Sequence, residues 1–179
     1  MNRLITSVAV AAIVIAPAAL AQSIGEKTGV NSALGISPTT QDFVKEAATS
    51  DMLEVAAAKV AEEKGNAEEK KFAQQMVTDH SESSADIKGM VTSGDVKADI
   101  PTTLDDSSQK KLDKLRDTRA AAFSSEYDPM QVSAHKDAVS LFERYSKSGD
   151  NAKLKDWAGK TLPTIRHHLE MAEALQKRD

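Results

Sequence analysis

Positions 154, 158, 161, 165, 168, 172 and 175 hold Leu, Ala, Thr, Ile, His, Ala and Leu, a four-three-four-three spacing without a break. Only an α-helix returns residues to one face at that interval. The C-terminal stretch, from about Asn151 to Lys177, therefore reads as an amphipathic helix that must bury its stripe against other helices. Pro163 lies inside it and predicts a bend. His168 sits on the stripe, whereas His167, about 100° further round, falls on the flank.

The same reading divides the preceding chain. Thr39 with Asp42 three residues on resembles a capping box, and the apolar and small residues after it run helically to Gly65, which closes a helix over about 40–64. Asn66 with Glu69 opens the next at once, and Gly94 ends it near residue 93. So short a link makes the two antiparallel neighbours. After a loop carrying Pro101, Thr103 and Asp106 can cap a third segment, which passes Leu112, Leu115, Phe123 and Tyr127 and continues through Phe142 and Tyr145 to Gly149. Asp128-Pro129 predicts a kink there, or a restart with Asp128 as N-cap. No stretch alternates with period two, which argues against a sheet. The expected fold is all-α: a four-helix bundle over residues 39–179, running up-down-up-down, with the middle connection longest.

The N-terminus reads as an address. Arg3 precedes an apolar run from Leu4 to Ala16, Pro17 breaks it, and Ala19-Leu20-Ala21 gives a small-x-small pattern before Gln22. A cleavable secretory signal over residues 1–21 is expected, followed by a flexible leader over 22–38. The apolar run is 13 residues, short of the roughly 20 that span a bilayer. A mature chain without a transmembrane segment, in the periplasm or secreted, follows as the expectation.

Composition then removes function classes. With no cysteine there is no disulfide framework, zinc knuckle or thiol nucleophile, so a metal would have to use His and carboxylate ligands. A net charge of -4 and only seven aromatic residues argue against nucleic acid as a partner. Nucleophile-elbow, P-loop, dinucleotide and H-E-x-x-H motifs are all missing, and the expectation is that the chain is not an enzyme. The di-iron bundle signature needs Glu three residues before His, and Val77, Val132 and Ile165 occupy those places.

What chemistry there is lies in the histidines. His80 follows Phe72 and Met76 at helical spacing, and His135 shares a face with Val132, Val139 and Phe142. Glu54 is flanked by Ala47, Ala58 and Ala61, small enough to admit a neighbouring helix. If the Gly65 and Gly149 turns share one end of the bundle, His80 and His135 lie fifteen and fourteen residues from it, level, with Glu54 and His168 within about a turn and a half. A mid-bundle layer of Glu54, His80, His135 and His168 is expected, able to hold a divalent transition metal such as Cu, Zn or Fe. Binding to free imidazoles would weaken below about pH 6. In the alternative reading, the same residues form a hydrogen-bonded core layer, held by Glu54 or Asp79, in a structural or protein-interaction module.

These segments carry a resemblance. Asp51-Met52-Leu53-Glu54-Val55, Phe72 through Asp79-His80, Phe123 through Tyr127 to Ser133-Ala134-His135, and Leu162-Pro163-Thr164-Ile165-Arg166-His167-His168-Leu169 together resemble the bacterial DUF4142 family. The resemblance implies a ferritin-like helical bundle in an exported protein, often described as an outer-membrane protein, and singles out Asp79 beside Glu54, His80, His135 and His168. Ser124, where the family often has Asp, and Pro129 depart from its pattern. It implies no activity. An exported bundle of envelope homeostasis or stress is the leading reading, with an envelope protein or a second copy of the chain as conceivable partner.

Overall fold

The computed structural model of the chain describes residues 30–178, so the expected signal segment and the leader up to residue 29 lie outside them. Every regular element among the described residues is helical. The order is α1 (Val30–Leu34), α2 (Thr40–Lys64), α3 (Ala67–Thr92), α4 (Asp106–Asp117), a 3-10 turn (Ala120–Ala122), α5 (Phe123–Ser148) and α6 (Ala152–Gln176). The second half of the expected leader is thus partly helical, and Ser32 hydrogen-bonds Ser140 of α5 at 2.9 Å.

The helix starts are set by their caps. Thr39 Oγ1 accepts from the Asp42 amide at 3.1 Å, and Asn66 with Glu69 forms a complete capping box. Asn151 Oδ1 accepts from the Leu154 amide at 2.9 Å. The cap of α4 is Asp105, accepting from Ser108, and neither Thr103 nor Asp106. Gly65 is needed for closeness: a Cβ there would stand 2.6 Å from the Ala61 carbonyl oxygen. Gly94 has φ +80° and turns the chain out of α3.

The third segment departs from expectation. It breaks at Thr118–Arg119 and resumes at Phe123, leaving Asp128 inside α5 as a buried residue rather than an N-cap. Pro129 removes one backbone donor, and Pro163 does the same in α6, yet both helices run on through them. Burial explains this for α5, since Tyr127, Asp128, Gln131 and Val132 around the proline are all packed inside. An interrupted helix would expose them.

The directions of the helices also differ from the expected up-down-up-down order. One apolar cluster joins Ala57, Ala61 and Phe72 beside Gly65 to Phe123 and Tyr127 at the start of α5 and to Ala172 and Leu175 at the end of α6. The other joins Phe43, Val44 and Ala47 to Ile87, Leu141, Tyr145 and Leu154. The Gly65 and Gly149 turns therefore lie at opposite ends, and the helices run up, down, down, up. The connection from α3 to α5 makes the crossing. It leaves the Gly149 end, where Asp95 pairs with Lys153 and the Asp99 backbone bonds Gln41, and reaches the other end through α4, whose last carbonyls accept from Lys64. One long crossover of this kind is a recognised bundle connection.

Candidate metal centre

Between the two apolar clusters lies a polar layer of Asp51, Glu54, His80, His135 and His168, each at most 6% exposed. Four helices each contribute from near their midpoint. His80 comes from α3, His135 from α5, His168 from α6, and Asp51 and Glu54 from α2.

The three imidazoles face one another, with ring centroids 5.5–5.9 Å apart. One ring nitrogen from each falls within 4.8 Å of the other two. What fixes the rings is on their far sides. His80 Nδ1 donates to Asp51 Oδ1 at 2.8 Å, and His135 Nδ1 donates to the Gln131 carbonyl at 2.9 Å. His168 Nε2 donates to Asp79 Oδ2 at 2.7 Å. A carbonyl or an ionised carboxylate can only accept, so each of these nitrogens carries the proton. The opposite nitrogen of a neutral ring is then a lone pair. Those opposite atoms, His80 Nε2, His135 Nε2 and His168 Nδ1, are buried and receive no hydrogen bond from any described residue.

The environment divides the rings by charge. Burial alone would lower His80, but the hydrogen bond to Asp51 and the charges of Asp51, Glu54 and Asp79 outweigh it and raise its pKa. Burial lowers His135, helped by His80 and opposed by Glu54. Burial brings His168 down to about 4, against the pull of Asp79. His80 is therefore the ring that takes up a second proton most readily, while His135 and His168 resist protonation more than a free imidazole does.

Glu54, the fourth expected member, is 1% exposed and neither of its oxygens has a hydrogen-bond partner among the described residues. Its carboxylate stands outside the three-nitrogen cluster but acts electrostatically on His80 and His135. Beyond it, toward the Gly65 end, the Tyr127 hydroxyl and the Gln131 amide are also buried without a partner, and burial with the charges of Glu54, Asp128 and Glu69 pushes the Tyr127 phenol well above its usual range. His167 is on the surface, 3.7 Å from Glu170, as its flank position predicts. Asp51 and the Gln131 carbonyl are the members that spacing did not single out. Asp51 was within reach of the argument, because it lies fourteen residues from Gly65 and His80 fifteen, directly across the turn.

Residues 25–175 match the model of DUF4142, described as a domain of unknown function. The chain belongs to this family. The match takes in α1 to α5 and all but the last residue of α6, including every residue of the polar layer. No curated protein and no solved structure matches the chain. Among the described residues of this DUF4142 protein, no helix is long and apolar enough to cross a membrane.

Proposed function

We propose that this DUF4142 protein is exported to the periplasm or beyond, and binds a divalent transition metal there through His80, His135 and His168. Glu54 completes the site as fourth ligand or as acceptor behind the ligands, and the role is in metal homeostasis or stress of the envelope. One observation carries the reading. Three buried imidazoles converge on lone pairs with no partner, while each opposite N–H is already held by a carboxylate or carbonyl. That arrangement orients metal-ligating histidines and fixes their tautomer. A core layer built only for stability would leave no such set, because a buried acceptor without a partner costs about 1–3 kcal/mol.

The donor set suits a borderline ion. Tetrahedral bonds of about 2.0–2.1 Å place ligand nitrogens roughly 3.3–3.4 Å apart, so an ion would draw the rings inward from their present spread. Nitrogen with one carboxylate favours Cu, Zn or Fe over Ca or Mg.

Calorimetric titration of the untagged, metal-free mature protein with each ion tests this. Saturable binding is expected, with a rise in melting temperature that each of His80→Ala, His135→Ala and His168→Ala abolishes and His167→Ala retains. Absence of binding tighter than about 10 μM for all three ions would leave the hydrogen-bonded core layer as the better reading. In that case His135→Ala lowers the melting temperature and added metal changes nothing.

A further inference from the structure

A cavity of about 950 Å³ opens on the bundle between α2, α5, α6, the middle of α3 and the start of α4, and its wall includes His80 and His168. Both are more than nine-tenths buried, and each has one ring nitrogen without a partner. His135 and Glu54 are not part of the wall, so the cavity adjoins the centre on its His80 and His168 side. Seven carboxylates line the cavity against two ammonium groups, Lys45 and Lys111. Asp51 and Asp79, which hold the His80 and His168 N–H groups, line it together with Asp42, Glu46, Asp105, Asp106 and Asp137, the last three of them exposed. The contrast with the second large cavity is instructive. That one, about 810 Å³ on the outer face of α2, touches Asp51 but no histidine, and Lys59, Lys64 and Arg116 outnumber its two carboxylates.

We propose that the acidic cavity is the route by which a free, hydrated divalent cation reaches and leaves the three-histidine centre, so that the bound ion is exchangeable cargo and not a sealed structural part. This rests on the metal-binding reading above. Low-dielectric walls of one charge sign focus the field and raise the local concentration of the opposite ion, speeding association by about 10–10³-fold. At roughly 30 Å³ per water, the space exceeds what a cation with six waters occupies. The same field repels anionic chelates, so the cargo arrives as the aqua ion. On arrival it meets His80 and His168 first and seats against His135 and Glu54, shedding water as nitrogens replace it.

Stopped-flow loading of the metal-free mature protein with Co(II), read by its visible absorbance, tests the route, and unloading is followed with excess chelator. The triple variant Glu46→Gln, Asp106→Asn, Asp137→Asn touches none of the histidines. It is expected to slow loading about tenfold at low salt, to lose most of the salt dependence of the parent, and to change the off-rate less than twofold. Thr164→Trp, at an exposed position on the cavity wall, should slow loading and unloading by the same factor and leave the Kd unchanged. Ala134→Trp serves as a second obstruction from the opposite wall. Parental loading in the triple variant, or an affinity loss carried by its off-rate, overturns the proposal, as do obstructions that change neither rate. A parent that develops no cobalt spectrum refutes the metal-binding reading itself, which separates the two failures.

Discussion

Glu54→Leu should move stability and metal binding in opposite directions. Glu54 is 1% exposed and neither oxygen has a partner among the described residues, so the metal-free protein buries a carboxyl group that no protein group satisfies. An unsatisfied buried polar group costs about 1–3 kcal/mol, more when charged, and a buried leucine in its place contributes about 1.5–3 kcal/mol of its own. Against this stands the lost influence of Glu54 on His80, whose charged form it favours. Taking the net as about 2 kcal/mol, and about 2–4 °C per kcal/mol for a domain of this size, the metal-free variant should melt roughly 4–8 °C above the parent. With metal the order changes. An ion bound at about 1 μM and supplied at 100 μM stabilises the parent by roughly 2.7 kcal/mol, whereas a hundredfold weaker variant gains only about 0.4 kcal/mol. The two loaded proteins should then melt within a few degrees of each other. Scanning calorimetry of both proteins, with and without Zn, reads all four values. A metal-free Glu54→Leu protein that melts below its parent would refute the reasoning, because Glu54 would then have a fixed partner. An unchanged metal-induced shift would remove Glu54 from the site.

Asp51→Asn and Asp79→Asn each keep the shape of the residue behind a ligand but lose its charge, and each should weaken metal binding about 10–100-fold by calorimetry. An ion competes with a second proton for His80 Nε2, and because the pKa of His80 is raised, affinity should begin to fall at a higher pH than the pH 6 suggested by free imidazole; titrations from pH 8 to 5 show where. In the metal-free protein His168 stays neutral down to about pH 4 while an unfolded histidine protonates near 6.5. Its contribution is therefore present above pH 6.5 and lost on acidification to pH 4, by up to about 3 kcal/mol, and His168→Gln should flatten that part of the denaturation profile. His80, raised instead, contributes below pH 6.5 and loses that contribution as pH rises through its folded value. Mass spectrometry of the exported protein should find Gln22 as its first residue; retention of Met1 to Ala21 would overturn the proposed address.

Much of the fold was legible because it is written in local signals. Thr39, Asn66, Gly65, Gly94 and Asn151 act through atoms a few residues away, and they bound α2, α3 and α6 where the spacing puts them. The misplaced break in the third segment has the opposite cause. Pro129 is a strong local signal, but Tyr127, Asp128 and Gln131 are buried by partners far off in sequence, and that burial outweighs one lost hydrogen bond. Likewise the path of the crossover depends on Lys64 gripping the end of α4 and on Gln41 and Asn151 holding its start. Those pairings join residues 51 to 58 positions apart, and no periodicity reports them.

The polar layer survives the reversal of two helices for a geometrical reason. His80 is fourteenth of the 26 residues of α3 and His135 thirteenth of the 26 of α5, and a midpoint lies at the same height whichever way its helix runs. Glu54 is fifteenth and His168 seventeenth of 25, both displaced toward the Gly65 end, His168 by about 6 Å at 1.5 Å per residue. Side chains lean toward the start of their own helix. In the observed directions α2 and α6 start at the Gly149 end, so Glu54 and His168 lean back toward the middle. α3 and α5 start at the Gly65 end, so His80 and His135 lean up to meet them. Convergence from both sides is thus a consequence of the up-down-down-up order, and it brings imidazoles from three helices to ring separations of 5.5–5.9 Å. Shifting any one of them by a turn, as in exchanging His168 with Ala172, should leave a well-packed helix and a site with only two ligands.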